Sequence, residues 1–152
     1  MTSHRDDVVD ALNQLIETCR DGEAGFREAA EGVQDANLAR LFRSYSAQRA
    51  QFVAELDAQV RRLGGDPAQR GHAAASAHRG WMNLRHALTG GSDAAVVAEA
   101  ERGEDHAVRA YEKALEADLP EDLQLIVERQ YMEVREAHDH VRSLERSQTE
   151  RR

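Results

Sequence analysis

The stretch Val97 to Leu115, VAEAERGEDHAVRAYEKAL, decides what kind of core this chain can form. Its larger apolar residues recur at intervals of three and four, which predicts an amphipathic helix packed against partner helices. The predicted inward face consists of Val97, Glu101, Glu104, Val108, Tyr111 and Leu115. Burying the two ionised carboxylates on this face costs several kcal/mol each unless a cation, a proton or a metal ion meets them. The sequence therefore predicts a polar layer inside a helical core.

Apolar periodicity of the same kind predicts three further long helices around this one. Their expected ranges are 3–33, 36–63 and 121–146, and residues 72–88 are expected to add a helix to the long connection that follows the second. A connection of this length lets the third helix start at the same end as the second. The expected fold is therefore all-α, a ferritin-like up-down-down-up four-helix bundle with a long crossover. We expect a single domain over residues 1–152, with its core in residues 3–146 and a polar tail in residues 147–152.

Composition and charge exclude several classes of function. The formal net charge of −8 argues against nucleic-acid binding, which needs a basic surface. Apolar runs are only a few residues long, so no membrane span is expected. Cys19 is the only cysteine and lies on an apolar helix face, so we interpret it as a small buried residue. These features favour a cytoplasmic protein.

Counting residues from the predicted turn near residue 35 brings five polar side chains to one level of the bundle. They are Glu23, Arg49, Glu101, Glu104 and Gln130. In one interpretation, Arg49 bridges Glu101 and Glu104, and the buried layer stabilises the fold without any cofactor. In the alternative, iron or manganese binds among four residues: Glu23, Glu101, Glu104 and His138.

Two further features concern close packing around the crossover. Trp81 is expected to dock the crossover helix on the bundle, or alternatively to line a ligand pocket with His78 and Arg79 at its rim. Gly22 and Gly25 lie inside the first helix, where glycine costs about 1 kcal/mol each relative to alanine. We expect them to allow the close approach of a neighbouring helix or a bulky side chain, and a local kink of the helix is the alternative.

Several sequence segments together resemble a family of small bacterial ferritin-like four-helix-bundle proteins of unknown function. They are LNQLIETCRDGEAGFREAAE (12–31), SYSAQRAQF (44–52), HRGWMNLRHALTGG (78–91), ERGED (101–105) and LPEDLQLIVERQY (119–131). The resemblance extends from about Val9 to Leu144 and implies the ferritin-like fold and a bacterial cytoplasmic protein. The di-iron pattern of ferritin-like enzymes includes Glu-x-x-His on two helices. Here the second helix has Gln48-x-x-Gln51, and no glutamate stands three residues before His138.

The sequence favours a non-enzymatic helical bundle with a structural, stress-related or partner-binding role and no cofactor. By analogy with other bundles of this kind, we expect a homodimer. The alternative is a carboxylate-bridged iron or manganese protein, or an oxidase of the ferritin and rubrerythrin type.

Overall fold

The computed structural model describes residues 4–68 and 80–150, with side chains described up to residue 147. These residues form five helices and no strand, which confirms the all-α prediction. The helices are α1 (His4–Gly32), α2 (Ala36–Arg62), α3 (Leu84–Thr89), α4 (Asp93–Glu116) and α5 (Glu121–Glu150). α1 and α2 match their expected ranges within one residue at each end. α5 begins at Glu121 as expected but continues to Glu150, so the expected polar tail at 147–152 is helical as far as residue 150. None of the described helices is both long and apolar enough to cross a membrane.

Helix ends lie where the local sequence satisfies the free backbone groups. The Asp35 carboxylate caps α2 by accepting from the backbone N–H groups of Asn37 (2.8 Å) and Leu38 (3.1 Å). After α2, Gly64 adopts a φ of +81°, a left-handed conformation that glycine adopts without steric cost. Ser92 caps α4 through its hydroxyl, which accepts from the N–H of Ala95 at 3.3 Å.

The crossover differs from its prediction. Trp81 precedes α3 instead of lying in it, and the helix occupies only Leu84–Thr89. The rest of the expected crossover helix, residues 72–79, lies outside the described residues. Gly80 and Asn83 lie on either side of Trp81 and Met82. Because glycine and asparagine are both weak helix formers, α3 begins only after them.

Three hydrogen bonds show how the long helices meet at their ends. The Asp93 carboxylate, at the start of α4, accepts from the backbone N–H groups of Gln34 (2.8 Å) and Asp35 (3.0 Å) in the α1–α2 turn. At the end of α2, Arg62 donates to the Asp122 carboxylate at 2.9 Å, near the start of α5. Consequently α4 begins beside the start of α2, and α5 begins beside its end.

The apolar core consists of two clusters along the helices. The first cluster lies toward the C-terminal end of α2 and includes Leu12, Ile16, Leu56 and Val127. The second cluster lies toward the start of α2 and includes Phe26, Phe42, Trp81, Val97 and Val141. In the second cluster, Phe26 packs edge-on against Trp81 with ring centroids 4.9 Å apart.

The buried face of α4 is rotated relative to the prediction. Its fully buried residues include Val97, Ala100, Gly103, Glu104, Ala107, Tyr111 and Ala114, whereas Glu101, Val108 and Leu115 are only partly buried. This face also recurs at intervals of three and four, but it is built largely from alanine and glycine. The larger apolar residues Val108 and Leu115 are partly buried and pack against the border of the core.

Candidate functional site

The centre of the bundle is occupied by an ion pair between α2 and α4. Arg49 donates through Nη1 to Oε1 of Glu104 (2.6 Å) and through Nη2 to Oε2 (2.5 Å). The side chains are 1% and 0% exposed, respectively. This two-point geometry matches the planar guanidinium to the planar carboxylate and is the strongest form of such a pair. Both carboxylate oxygens of Glu104 are therefore engaged by Arg49.

Neighbouring residues make room for the guanidinium and supply further contacts. A Cβ atom added at Gly22 would lie only 3.1 Å from Nη1 of Arg49, so glycine on α1 leaves space for this side chain. The Phe26 ring lies under the guanidinium, with 5.4 Å between Cζ and the ring centroid. Arg49 also donates through Nε to Oε1 of Gln48 at 3.2 Å. These contacts meet the expectation of a bulky neighbour at Gly22.

The charge state of the pair follows from its surroundings. Burial disfavours a charged guanidinium, but the adjacent Glu104 carboxylate and its hydrogen bonds outweigh this effect and raise the pKa of Arg49. Arg49 therefore stays charged throughout the physiological range. A permanent cation lies at the centre of the bundle.

Two acidic residues predicted for this layer lie elsewhere. Glu23 is 32% exposed and 3.9 Å from Arg27 on its own helix. Glu101 is 17% exposed and lies 3.4 Å from Nε of Arg142 on α5. Arg49 consequently pairs with Glu104 alone instead of bridging two glutamates. The rotation of α4 explains the position of Glu101, because it moves that side chain to the α4–α5 edge while Glu104 stays in the core.

Gln130 is fully buried, as expected, but its hydrogen bonds belong to a second group of polar side chains and not to the Arg49–Glu104 pair. Tyr111 donates to Oε1 of Gln130 at 2.7 Å, and Gln130 donates to Oε1 of Glu55 at 3.2 Å. The thiol of Cys19 lies 3.1 Å from the Tyr111 hydroxyl. Burial raises the pKa of Cys19 to about 11, so the thiol is protonated and poorly reactive at neutral pH. Burial also raises the pKa of Tyr111 well above its ordinary value.

A separate group of polar side chains lies at the α4–α5 edge. Ligand atoms of Glu101, Asp105 and His138 all lie within 4.8 Å of one another. Nε2 of His138 is 2.6 Å from Oδ1 of Asp105, and its Nδ1 is 3.1 Å from Oδ1 of Asp139. Burial lowers the pKa of His138, but hydrogen bonds to Asp139 and Asp105 and the charges of those carboxylates outweigh it, so the net shift is upward. Of the four residues in the predicted iron or manganese set, only Glu101 and His138 belong to this group.

Comparison with known proteins identifies the family. The family model described as "Domain of unknown function (DUF2383)" matches residues 7–117. The chain belongs to the DUF2383 family. A comparison with curated proteins finds no match. The DUF2383 match contains both partners of the central ion pair and ends before α5, so Gln130 and His138 lie outside the matched residues.

Trp81 of this DUF2383 protein fills a slot between two helices. A Cβ atom added at Gly25 of α1 would lie 2.4 Å from Cδ2 of Trp81, and one at Gly103 of α4 would lie 2.3 Å from Cε2. Such distances are far below van der Waals contact, so the slot requires glycine on both sides. Trp81 is 4% exposed and docks the segment before α3 onto the bundle. His78 and Arg79 lie outside the described residues.

The sequence pattern did not predict the burial of two acidic residues of the DUF2383 chain. Glu99 is 1% exposed, accepts from the backbone N–H of Asn83, and pairs with Arg102 at 2.8 Å. Its carboxylate thereby holds the chain just before α3. Asp21 is likewise buried on α1. The spacing of Glu99 and Arg102 indicates a helical ion pair, but such pairs are most often exposed to solvent, so nothing in the pattern indicates burial.

Proposed function

We propose that this DUF2383 protein is a non-enzymatic, ferritin-like helical bundle of the bacterial cytoplasm with a stress-related, structural or partner-binding role. The observation that carries the proposal is the buried two-point ion pair between Arg49 and Glu104. It supplies the centre of the bundle with its own cation. In this proposal the ion pair stands where a ferritin-like oxidase has its metal ions.

The arrangement of the helices supports the ferritin-like assignment. Ferritin-like bundles join four long helices through short connections and one long crossover. In this chain, short turns join α1 to α2 and α4 to α5, and a long connection separates α2 from α4. The contact of Asp93 with the α1–α2 turn gives α2 and α4 a common starting end. These features fit an up-down-down-up bundle formed by one domain.

The chemistry of the centre supports a role without metal. A metal ion bound by Glu104 would have to displace the guanidinium of Arg49, because both carboxylate oxygens already accept from it. The displaced guanidinium would then be buried without a partner, which costs several kcal/mol. The positive charge of Arg49 would also repel an incoming cation. We therefore expect neither iron nor manganese at the centre and no oxidase activity there.

The second candidate is the carboxylate-bridged iron or manganese protein. One observation favours it: Glu101 and His138 do approach each other, together with Asp105. This group lies at the edge of the α4–α5 contact, and the neighbouring Glu104 side chain faces the core. A binuclear oxidase site requires carboxylates from several helices around one interior cavity. The edge group supplies ligands from two helices, so it supports binding of one ion better than a binuclear enzyme.

Elemental analysis combined with matched variants tests the proposal. Protein without an affinity tag is purified without chelators, and its iron and manganese contents are measured before and after anaerobic addition of Fe(II). Wild-type protein is expected to hold neither metal at the centre and to show no oxygen-dependent oxidation of Fe(II). Iron or manganese that is stoichiometric in the wild type and the His138→Gln variant, but absent from Glu104→Gln, would overturn the proposal.

We also propose that the protein is a homodimer, by analogy with other helical bundles. Sedimentation equilibrium across a range of micromolar concentrations measures the mass directly. A mass that stays at 17.0 kDa, the value for one chain, throughout that range would refute the dimer.

A further inference from the structure

The group of polar side chains at the α4–α5 edge combines three potential metal ligands from two helices. Glu101 and Asp105 lie one turn apart on α4, so their side chains project from the same face. His138 projects from α5 toward them, and the ligand atoms of the three residues lie within 4.8 Å of one another. All three side chains are partly buried, so the group is held in place by the helices yet open to ions from solvent.

The two ring nitrogens of His138 have different neighbours. Nδ1 lies 3.1 Å from the carboxylate of Asp139, which favours a proton on that nitrogen. Nε2 points at Asp105, with 2.6 Å between Nε2 and Oδ1. Histidine ligands in metal sites commonly donate their second N–H to a carboxylate, which fixes the tautomer and turns the other nitrogen to the metal. Asp139 is in the position for that role.

We propose that Glu101, Asp105 and His138 bind a single divalent transition-metal ion of the Zn²⁺ class. One imidazole nitrogen and two carboxylate oxygens suit Zn²⁺, Co²⁺ or Ni²⁺, whereas Mg²⁺ and Ca²⁺ prefer oxygen ligands alone. Three protein ligands leave a fourth tetrahedral position to water from the exposed side. The two carboxylates balance the charge of the ion.

Binding exchanges one cation for another. Nε2 of His138 and Oδ1 of Asp105 are 2.6 Å apart, a distance that indicates a hydrogen bond between them, and Arg142 lies 3.4 Å from Glu101. The metal ion takes the place of the proton at Nε2, and this proton leaves to solvent. Arg142 is 53% exposed, so its side chain can turn outward without entering the core. Zn²⁺ binding should therefore release a proton and weaken as pH falls.

This site is distinct from the centre of the bundle and does not rest on the proposed function. Glu104 faces the core and pairs with Arg49, so the edge site can fill while the central ion pair stays intact. A protein that binds one zinc ion at the edge and no iron at the centre satisfies both proposals. The two are separated experimentally by the variants that lose metal.

Titration calorimetry with ZnCl₂ tests the site on the full-length chain, without a polyhistidine tag and after dialysis against a chelator. We expect one Zn²⁺ per chain, with proton release measured by repeating the titration in buffers of different ionisation enthalpy. Asp139→Asn changes the carboxylate that contacts Nδ1 of His138 and should weaken Zn²⁺ binding about 10–100-fold. His138→Gln and Asp105→Asn each remove a proposed ligand and should weaken binding by more than that. Co²⁺ in place of Zn²⁺ should give the visible absorption of a tetrahedral complex.

His140→Gln provides the matched control, because His140 is an exposed imidazole two residues along the same helix. It should bind Zn²⁺ as tightly as the wild type does. Circular dichroism establishes that each variant keeps its helical content. The proposal is overturned if the wild type fails to bind at millimolar Zn²⁺ or if the folded His138→Gln variant binds as tightly. It is equally overturned if His140→Gln loses as much affinity as His138→Gln, which would indicate non-specific surface binding.

Discussion

Replacing Arg49 with methionine removes the cation from the bundle centre and leaves the Glu104 carboxylate buried. Both side chains are at most 1% exposed, so water cannot take over the role of the guanidinium without local opening of the helices. Breaking a buried ion pair in this way typically costs about 3–5 kcal/mol. Binding a proton at Glu104 costs the folded variant less free energy than keeping the carboxylate charged and unpaired.

The cost of that proton can be worked out. An exposed glutamic acid in the unfolded chain ionises near pH 4.3, so holding the proton at pH 7 costs about 3.7 kcal/mol. We therefore expect Arg49→Met to lose about 4 kcal/mol of unfolding free energy at pH 7. In a chain of this size, such a loss lowers the melting temperature by about 8–16 °C.

The proton bound at Glu104 also sets how the stability of the Arg49→Met variant changes with pH. Between about pH 5 and pH 8, the native variant holds one more proton than the unfolded state, so its stability falls by about 1.4 kcal/mol per pH unit as pH rises. In the wild type, the guanidinium of Arg49 occupies the place of this proton at Glu104, so we expect no such slope from the pair. The variant should therefore approach wild-type stability as the pH is lowered toward 5.

Urea unfolding followed by circular dichroism at pH 5, 6, 7 and 8 measures both quantities. Glu104→Gln is the matched comparison: it strands a guanidinium that cannot release its proton, so its loss should be nearly constant with pH. The double variant Arg49→Met/Glu104→Leu should recover most of the stability, because neither charge remains. If Arg49→Met lies within 1 kcal/mol of the wild type at pH 7, or shows no added pH slope, the ion pair does not have the role assigned to it.

Three further predictions concern other parts of the bundle. Gly25→Ala places a methyl group 2.4 Å from Trp81 and should lower the free energy of unfolding, measured in urea, by about 1–3 kcal/mol. Gly90→Ala is the control: its added Cβ would lie 3.5 Å from its neighbours, so the free energy of unfolding should change little. Because burial raises the pKa of Cys19 to about 11, iodoacetamide at pH 8 should label the folded thiol at least about 100-fold more slowly than the urea-unfolded one; equal rates would contradict its burial. Asp93→Ala removes the acceptor of two backbone N–H groups in the α1–α2 turn and should cost about 1–2 kcal/mol by the same unfolding assay, and an unchanged midpoint would show that the contact is dispensable.

Much of the fold was predictable from the sequence because its signals are local. Apolar residues at intervals of three and four predicted the long helices, and the helix ends are set by residues that are close in the chain, such as Asp35, Ser92 and Gly64. Glycine at residue 25, where alanine would form a better helix, correctly indicated a bulky side chain packed against α1. The burial of Arg49 was also predictable, since it interrupts an otherwise apolar face.

Tertiary structure alone decided which carboxylate meets Arg49. The alternations 97-101-104 and 97-100-104 fit a helical face equally well, and they differ only in the middle residue, because positions 100 and 101 point about 100° apart around the helix axis. In the structure α4 buries the second face, which keeps Glu104 inside the core and leaves Glu101 partly exposed at the α4–α5 edge. The pairing of Asp105 with His138 follows from the same buried face and from the position of α5. Those contacts join residues 33 positions apart, and the relative rotation of two helices is set by packing across the whole core, which no local sequence pattern records.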